Sequence, residues 1–355
     1  MADYTSIDNP ELYFQCKLYT GNGTAIGSGG QAITLDGDVD MAPNFVWIKN
    51  RVDAHGHQLY DTVRGVTKRV SSNNTGGTST DTEGLTTFGT NGFTLGNDEA
   101  VNKNTETYVA WCWKANGTGS TNTDGNNPNT ETVSANTTSG FSIIKYTGTD
   151  TGGQTIGHGL GVKPKVFICK NISETDSWLY WQDTTNNGTA DVRMNTNQTA
   201  ADRDDHMVTF GTSTITLPST SDNGWNGSSD DIIGYAFSEK QGFSHFGTYL
   251  GNSSTDGPFV YLGFRPTFVF AKVASDANDW FMFDSKRSTF NPVDDSLFPN
   301  KADAESTSHV IDFLSNGFKV RDSDGTVNST GNTYIYMAFA EAPFVNSNGV
   351  PCNAR

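Results

Sequence analysis

The sequence predicts an all-β protein of three tandem antiparallel β-sandwich domains, jelly-roll-like, with an extended N-terminal arm. Three observations predict this class. A pattern of roughly 100 residues occurs three times, which at that size indicates whole domains rather than solenoid units. Apolar residues alternate with a period of two in the closing segments of the pattern, and amphipathic helical stretches are nearly absent.

The repeat is anchored on a proline that starts an apolar run. The run reads PNFVWIK at 43–49, PKVFICK at 164–170 and PTFVFAK at 266–272, with a lysine six residues after each proline. The runs are short, apolar on both faces and rich in β-branched and aromatic residues, which favours buried sandwich strands. We expect Lys49, which ends the first run, to lie where the strand reaches water.

The repeat also sets the domain boundaries. The segment 116–138 has almost no apolar residue, which is typical of a flexible linker. The predicted organisation is an arm at 1–13, a first sandwich at 14–115, a polar linker at 116–138, a second sandwich at 139–239, a third at 242–344 and a polar tail at 345–355.

Each repeat closes with a strictly alternating segment. VAWCW at 109–113, IGYAF at 233–237 and IYMAF at 335–339 place bulky side chains on one face and mostly small ones on the other. This predicts a central strand with a packed core on one side and a close neighbour on the other. Upstream, paired phenylalanines bracket Thr-Asn-Gly in repeat one and Ser-Asn-Gly in repeat three, which predicts hairpins there.

The composition restricts the function classes. A net charge of −16 without a Lys/Arg cluster argues against nucleic-acid binding. No apolar run approaches the length of a membrane span, so we expect no membrane insertion. The N-terminus lacks the basic start and apolar core of a signal peptide. Among four scattered cysteines, Cys112 and Cys169 align with alanines of other repeats, which predicts buried free thiols.

The sequence offers few candidates for chemistry. No phosphate loop, nucleophile elbow, zinc-peptidase motif or recognisable pair of glycosidase carboxylates is present, so we expect no enzyme, no catalytic residue and no cofactor. His55 and His57 could supply two metal ligands, although a polar loop without a metal is the favoured interpretation. Trp225 has no evident partner in the repeat, which favours an exposed ring at a binding site.

Several strings resemble a known family of phage proteins. YTGNGTA, PNFVWIKNR, LYDTVRG, GFTLG, YVAWCWKA, GHGLGVKPK, GPFVYLGFRP, DSKRSTFNP and YIYMAFAEAPF resemble a repeated domain in virion structural proteins of tailed marine phages, especially cyanophages, over essentially 14–344. The resemblance implies a virion component, made in the host cytoplasm, with no known catalytic residues. Repeat two lacks the Asp-Ser-Lys-Arg or Asp-Thr-Val-Arg stretch of its sisters, so we expect it to lack whatever that stretch does.

The resemblance implies a tail-associated fibre or adhesin component. Such a protein docks on other virion proteins and contacts a host-surface glycan or protein. A capsid decoration or head-fibre protein is the first alternative, and a carbohydrate-binding or polysaccharide-degrading protein is the second. Phage appendages are often trimeric, which favours a homotrimer. The candidates for virion attachment or subunit swapping are the larger apolar residues of the arm, Tyr4, Ile7, Leu12 and Tyr13.

Overall fold

Antiparallel strands build nearly all of the protein, as the sequence predicts. The structure is a computed structural model that describes residues 4–183, 192–199, 206–219 and 222–353. Each repeat contributes one larger sheet and one three-stranded sheet, which confirms the all-β sandwich class. The ends of the predicted arm and tail, residues 1–3 and 354–355, lie outside the described residues.

Repeat one is a two-sheet sandwich. Its strands are β1 (Phe14–Thr20), β2 (Gln31–Thr34), β3 (Phe45–Asn50), β4 (Gln58–Asp61), β5 (Lys68–Arg69), β6 (Ser79–Thr80), β7 (Leu85–Gly89), β8 (Gly92–Leu95) and β9 (Thr107–Trp113), with the helical turn α1 (Glu99–Asn102) before β9. The larger sheet has the order β1-β9-β3-β4 and the smaller one β2-β8-β7, while β5 and β6 pair with each other. Two 3₁₀ turns, Pro10–Leu12 and Ile26–Ser28, flank β1.

Repeat two has the same plan with a wider sheet. Its elements are β10 (Ser120–Asn122), β11 (Glu131–Asn136), β12 (Phe141–Thr147), β13 (Thr155–Gly157), β14 (Val166–Asn171), β15 (Leu179–Gln182), β16 (Val192–Arg193), β17 (Thr209–Phe210), β18 (Thr214–Thr216), the helical turn α2 (Asn223–Asn226) and β19 (Asp231–Phe237). The sheets have the orders β10-β11-β12-β19-β14-β15-β16 and β13-β18-β17.

The segment 116–138 differs from the flexible linker predicted for it. It contains β10 and β11, and β11 pairs with β12 from Thr132–Lys145 to Asn136–Phe141, which extends the large sheet of repeat two. Backbone hydrogen bonds at a sheet edge do not require apolar side chains, so a polar composition does not exclude a strand. Glu131 and Val133 on β11 are buried.

Repeat three closes the chain with the same two sheets. Its elements are β20 (Ser244–Leu250), β21 (Phe259–Tyr261), β22 (Phe264–Val273), β23 (Trp280–Asp284), β24 (Ile311–Leu314), β25 (Gly317–Val320), the helical turn α3 (Gly325–Asn328) and β26 (Thr333–Pro343). The larger sheet has the order β20-β26-β22-β23 and the smaller one β21-β25-β24.

The three larger sheets pack against one another around one cluster of buried residues, which we call the shared core. The bulky faces of the closing strands β9, β19 and β26 all belong to it, through Trp111, Tyr235 and Met337 and their neighbours. The opposite faces of the same strands fill three separate clusters, one inside each sandwich. The three repeats therefore share a common core and are not independent domains connected only by linkers.

The shared core explains why the proline-anchored runs are apolar on both faces. On β3, Phe45 and Trp47 point into the shared core, while Val46 and Ile48 point into the sandwich of repeat one. β14 and β22 divide their side chains in the same way. The prediction of buried strands is confirmed, and the second buried face is the contact between repeats.

The predicted hairpins and thiols are confirmed. Phe88 pairs with Phe93 across the β7–β8 turn, and Phe313 pairs with Phe318 across the β24–β25 turn. Repeat two, which lacks Asn-Gly, forms the same hairpin between β17 and β18. Cys112 and Cys169 are free and completely buried, and burial raises the pKa of both thiols.

Candidate functional site

Each repeat carries a one-turn helix with the pattern Asp-x-x-x-Asn. The aspartate caps the turn: Asp98, Asp222 and Asp324 each accept a hydrogen bond from the backbone N–H two residues on. The asparagines Asn102, Asn226 and Asn328 are completely buried, and each accepts a backbone N–H from the segment that follows β1, β12 or β20 of its own repeat. These turns are structural caps that the three repeats share.

Trp225 lies in the cap of repeat two, and the prediction that its ring is exposed is wrong. The side chain is only 1% exposed and packs edge-on against Trp181 and His206 in the sandwich core. Its backbone oxygen accepts the hydroxyl of Tyr146 at 2.7 Å, as Val101 accepts that of Tyr19. The shared Asp-x-x-x-Asn spacing would have shown that Trp225 is the counterpart of Val101.

His57 is part of a cyclic set of contacts between repeats. Its Nε2 lies 3.0 Å from the backbone oxygen of Phe298 in repeat three. The indole N–H groups of Trp178 and Trp280 make the equivalent contacts: Trp178 donates from repeat two to Ser71 of repeat one, and Trp280 donates from repeat three to Arg193 of repeat two. All three residues lie fourteen positions after the anchoring proline, which is the signal that assigns them one role.

The buried environment of His57 rules out the metal-ligand interpretation for its ring. The side chain is completely buried, and its Nδ1 accepts the indole N–H of Trp47 at 2.8 Å. Both ring nitrogens are therefore engaged, with Nε2 as the donor. Burial, together with the nearby charge of Lys49, holds the pKa of His57 well below its usual range. His57 is a neutral packing residue of the interface between repeats one and three.

His55 lies in a different environment, half-buried beside Asp53 and Glu106. Potential ligand atoms of these three residues lie within 4.8 Å of one another. The ammonium group of Lys103 lies 2.6 Å from Asp53 and 2.5 Å from Glu106 and thus occupies the cation position between the carboxylates. Those ion pairs raise the pKa of Lys103. The cluster is a lysine-centred surface network.

The Asp-x-x-Arg stretches of repeats one and three form buried ion pairs that receive a donor from the neighbouring repeat. Asp61 pairs with Arg64 at 2.5 Å and accepts the hydroxyl of Tyr235 at 2.8 Å. Asp284 pairs with Arg287 and accepts the indole N–H of Trp111 at 3.1 Å. The stretch therefore joins repeats one and two, and repeats three and one.

Repeat two departs from this pattern on both sides of the contact. Gln182 occupies the strand position of the aspartate, since it pairs with Val166 as Asp61 pairs with Phe45. The facing closing strand carries Met337, whose side chain has no N–H or O–H to donate. Within the part of this interface that the structure describes, Gln182 therefore replaces the aspartate and lies opposite a side chain without a donor.

The lysines that end the proline-anchored runs are buried, and the expectation that Lys49 reaches water is wrong. Lys49, Lys170 and Lys272 are each 0% exposed. Their ammonium groups donate to backbone oxygens, with the Lys272 contact to Asn278 at 2.6 Å. Burial lowers the pKa of each lysine to about 8. Backbone oxygens at the end of the strand or in the loop that follows it therefore bind each ammonium group.

The N-terminal arm packs on its own chain. Ile7 is 4% exposed and belongs to the shared core, and the ring of Tyr13 lies edge-on to Phe243 at 6.0 Å. Leu12 is 37% exposed and Tyr4 is 58% exposed. Of the four predicted attachment residues, Ile7 and Tyr13 therefore hold the arm in place, and Tyr4 and Leu12 remain at the surface.

An open groove of about 390 Å³ lies between the arm and repeat three, and we call it the arm groove. Tyr4 lines one part of it and Tyr261 on β21 lines another, and both rings are more than half exposed. His245, hydrogen-bonded to Tyr336 at 2.9 Å, and Glu239 supply polar groups at its wall. Two exposed aromatic rings beside polar groups make this groove a candidate docking surface.

The comparisons with known proteins identify the family and nothing further. No helix within the described residues is long and apolar enough to cross a membrane. No curated protein and no solved structure matches the chain. A family model described as a domain of unknown function, DUF7483, matches residues 9–343. Because that match covers nearly the whole sequence, the chain belongs to the DUF7483 family.

Proposed function

We propose that this chain is a non-enzymatic structural protein of a phage virion, a tail-associated fibre or adhesin component. It docks on other virion proteins through the arm groove and contacts the host surface with the loops of its sandwiches. The observation that carries the proposal is that the side chains best suited to chemistry make structural contacts instead. His57, Trp225 and the Asp-x-x-Arg pairs all serve contacts within or between repeats.

The shared core supports a mechanical role. Three sandwiches that pack on one core form a stiff body, because a displacement of one repeat would break buried contacts with both others. A rigid scaffold that holds loops in fixed positions is the arrangement expected of an attachment module. The core is complete within one chain, so the proposed homotrimer would form through outer surfaces of the repeats.

The arm groove supports docking at one defined place. Tyrosine rings with exposed faces contribute large contact areas at low conformational cost, which favours them at protein interfaces. Tyr4 and Tyr261 meet this description. Phe290 is 78% exposed but does not line the groove, and it therefore provides a matched control.

Immunogold electron microscopy of purified virions tests the virion assignment. Gold on the tail is expected, gold on the head would favour the decoration-protein alternative, and virions without the chain would refute the proposal. A phage that carries Tyr261→Ala should incorporate fewer copies of the chain per virion than one with Phe290→Ala. Equal incorporation of both variants would refute the claim that the protein docks on other virion proteins through the arm groove.

Two solution measurements test the remaining parts. Light scattering should give three times the chain mass, whereas one chain mass would contradict the homotrimer. Fluorescently labelled protein should bind host cells at micromolar concentration. If the protein lies on the tail but does not bind host cells, it is a structural component of the tail and the proposed host contact is wrong. Release of reducing ends from host polysaccharide would instead favour an enzyme.

A further inference from the structure

The interfaces between repeats three and one and between repeats one and two follow the same backbone plan. Leu59 pairs with Val70 in repeat one as Met282 pairs with Leu297 in repeat three. Eight residues further on, the backbone N–H of Thr78 and that of Glu305 each donate to the next repeat, to Ile172 and Arg51 respectively, both at 2.9 Å. Thr78 is therefore the positional counterpart of Glu305, and Ile172 that of Arg51.

At the interface of repeats three and one, a carboxylate completes the contact. Glu305 accepts Nη1 of Arg287 at 3.0 Å and Nε of Arg51 at 3.0 Å. Its side chain is 13% exposed, and that of Arg287 is 0% exposed. One carboxylate thus binds two arginines that belong to different repeats, and Asp284 supplies the second negative charge.

At the interface of repeats one and two, the arginine is retained but the carboxylate is missing. Asp61 binds Nε of Arg64, and the backbone oxygen of Leu59 accepts from Nη2. Nη1 of Arg64 and Oγ1 of Thr78 are both buried, and neither has a hydrogen-bond partner among the described residues. The Arg64 side chain is only 2% exposed. An unpaired guanidinium N–H at such depth costs free energy until a ligand or water binds it.

These two residues line an open cleft of about 250 Å³. Lys68 and Lys145 also line it and carry positive charge, and each ammonium has further N–H groups beyond its bond to Thr80 or Asp231. Asp231 is the one acidic residue among those lining the cleft. Three positive groups, Arg64 and the two lysines, therefore face two negative ones, Asp231 and the Asp61 that pairs with Arg64, and leave one net positive charge on a chain whose net charge is −16.

We infer that this cleft binds the carboxylate group of an exogenous small anion, in the place that Glu305 fills at the sister interface. The carboxylate accepts hydrogen bonds from Nη1 of Arg64 and from the hydroxyl of Thr78, and Lys68 and Lys145 line the same cleft. At the sister interface Nη1 of Arg287, the counterpart of Nη1 of Arg64, makes this same contact to the Glu305 carboxylate at 3.0 Å. The second arginine there, Arg51, is replaced here by Ile172, so the lysines of the cleft supply the remaining positive charge.

Titration calorimetry with sodium acetate on the full chain tests this inference, against sodium chloride at the same ionic strength. One saturable acetate site per chain is expected, and at tenfold its dissociation constant acetate should raise the unfolding midpoint by about 2 °C. Thr78→Glu supplies the carboxylate from within the chain. It should abolish the acetate response and raise the unfolding midpoint in chloride.

The reciprocal variant provides a second readout. Glu305→Thr gives the sister interface the same gap and should bind two acetate ions per chain. If that variant does not fold, Thr78→Glu alone decides. Wild-type protein that responds equally to acetate and chloride would overturn the inference, since the cleft then holds water only. A Thr78→Glu variant that still binds acetate as the wild type does would also overturn it.

Discussion

Replacing Tyr235 with phenylalanine removes the hydroxyl that joins repeat two to the buried ion pair of repeat one. The hydroxyl donates to Asp61 at 2.8 Å, and the two side chains are 2% and 0% exposed. A hydrogen bond to a buried charged group contributes about 1.5–3 kcal/mol. Asp61 keeps three donors, the backbone N–H groups of Val63 and Arg64 and the Nε of Arg64. We therefore expect a loss in the lower half of that range, about 2 kcal/mol.

Urea unfolding followed by tryptophan fluorescence measures this loss. Tyr235→Phe should lower the midpoint without changing the slope, because the compactness of the two end states is unchanged. Tyr261→Phe makes the same chemical change at a ring that is 59% exposed and should alter the free energy of unfolding by less than about 0.5 kcal/mol. Equal effects from the two variants would refute the conclusion that this hydroxyl stabilises the interface between repeats.

Three further substitutions test the buried positions. Trp225→Ala should cost about 3–5 kcal/mol of unfolding free energy in urea because it empties a packed site, and a loss below about 1 kcal/mol would contradict burial. Burial lowers the pKa of Lys272 from 10.5 to about 8, so the unfolded chain binds more protons between these values and stability rises with pH there. The unfolding free energy of Lys272→Met relative to the wild type should consequently fall by about 2 kcal/mol from pH 7 to pH 10; a pH-independent difference would refute the buried charge. Burial raises the pKa of Glu131 to about 7, so the folded chain binds more protons between pH 4.5 and 7 and stability falls as pH rises there. From pH 4.5 to pH 7, the unfolding free energy of Glu131→Gln should therefore rise by about 2 kcal/mol relative to that of the wild type. Parallel pH profiles of the two proteins would refute the raised pKa of Glu131.

The repeat made much of the fold predictable from the sequence. The proline-anchored runs and the alternating closing segments identified β3, β14 and β22 and β9, β19 and β26 as buried strands. Side-chain alternation is a local property, so one sequence can reveal it. The shared core is not local. A face that packs on a neighbouring repeat has the same pattern as one that packs on its own second sheet.

Several of the predictions for individual residues were wrong, although comparing equivalent positions of the three repeats could have corrected some of them. His57 differs in residue type from Trp178 and Trp280, so matching by chemistry missed what matching by distance from the proline reveals. A charged residue such as Lys49 at the end of an apolar run usually marks the point where a strand reaches solvent. Its long side chain can, however, place the ammonium group against backbone oxygens inside the protein. The gap at Arg64 depends on which residues meet across an interface. The hydrogen bond from Thr78 to Ile172 identifies Thr78 as the counterpart of Glu305, and the sequence does not predict that bond.

Differential scanning calorimetry tests the shared core most directly. If the three repeats unfold as one unit, a single transition is expected, with a van 't Hoff enthalpy equal to the calorimetric value of about 250 kcal/mol for a chain of 355 residues near 60 °C. Three independent sandwiches would instead give separate transitions, or one broad transition with a van 't Hoff enthalpy near 70 kcal/mol. The second result would contradict a core common to all three repeats.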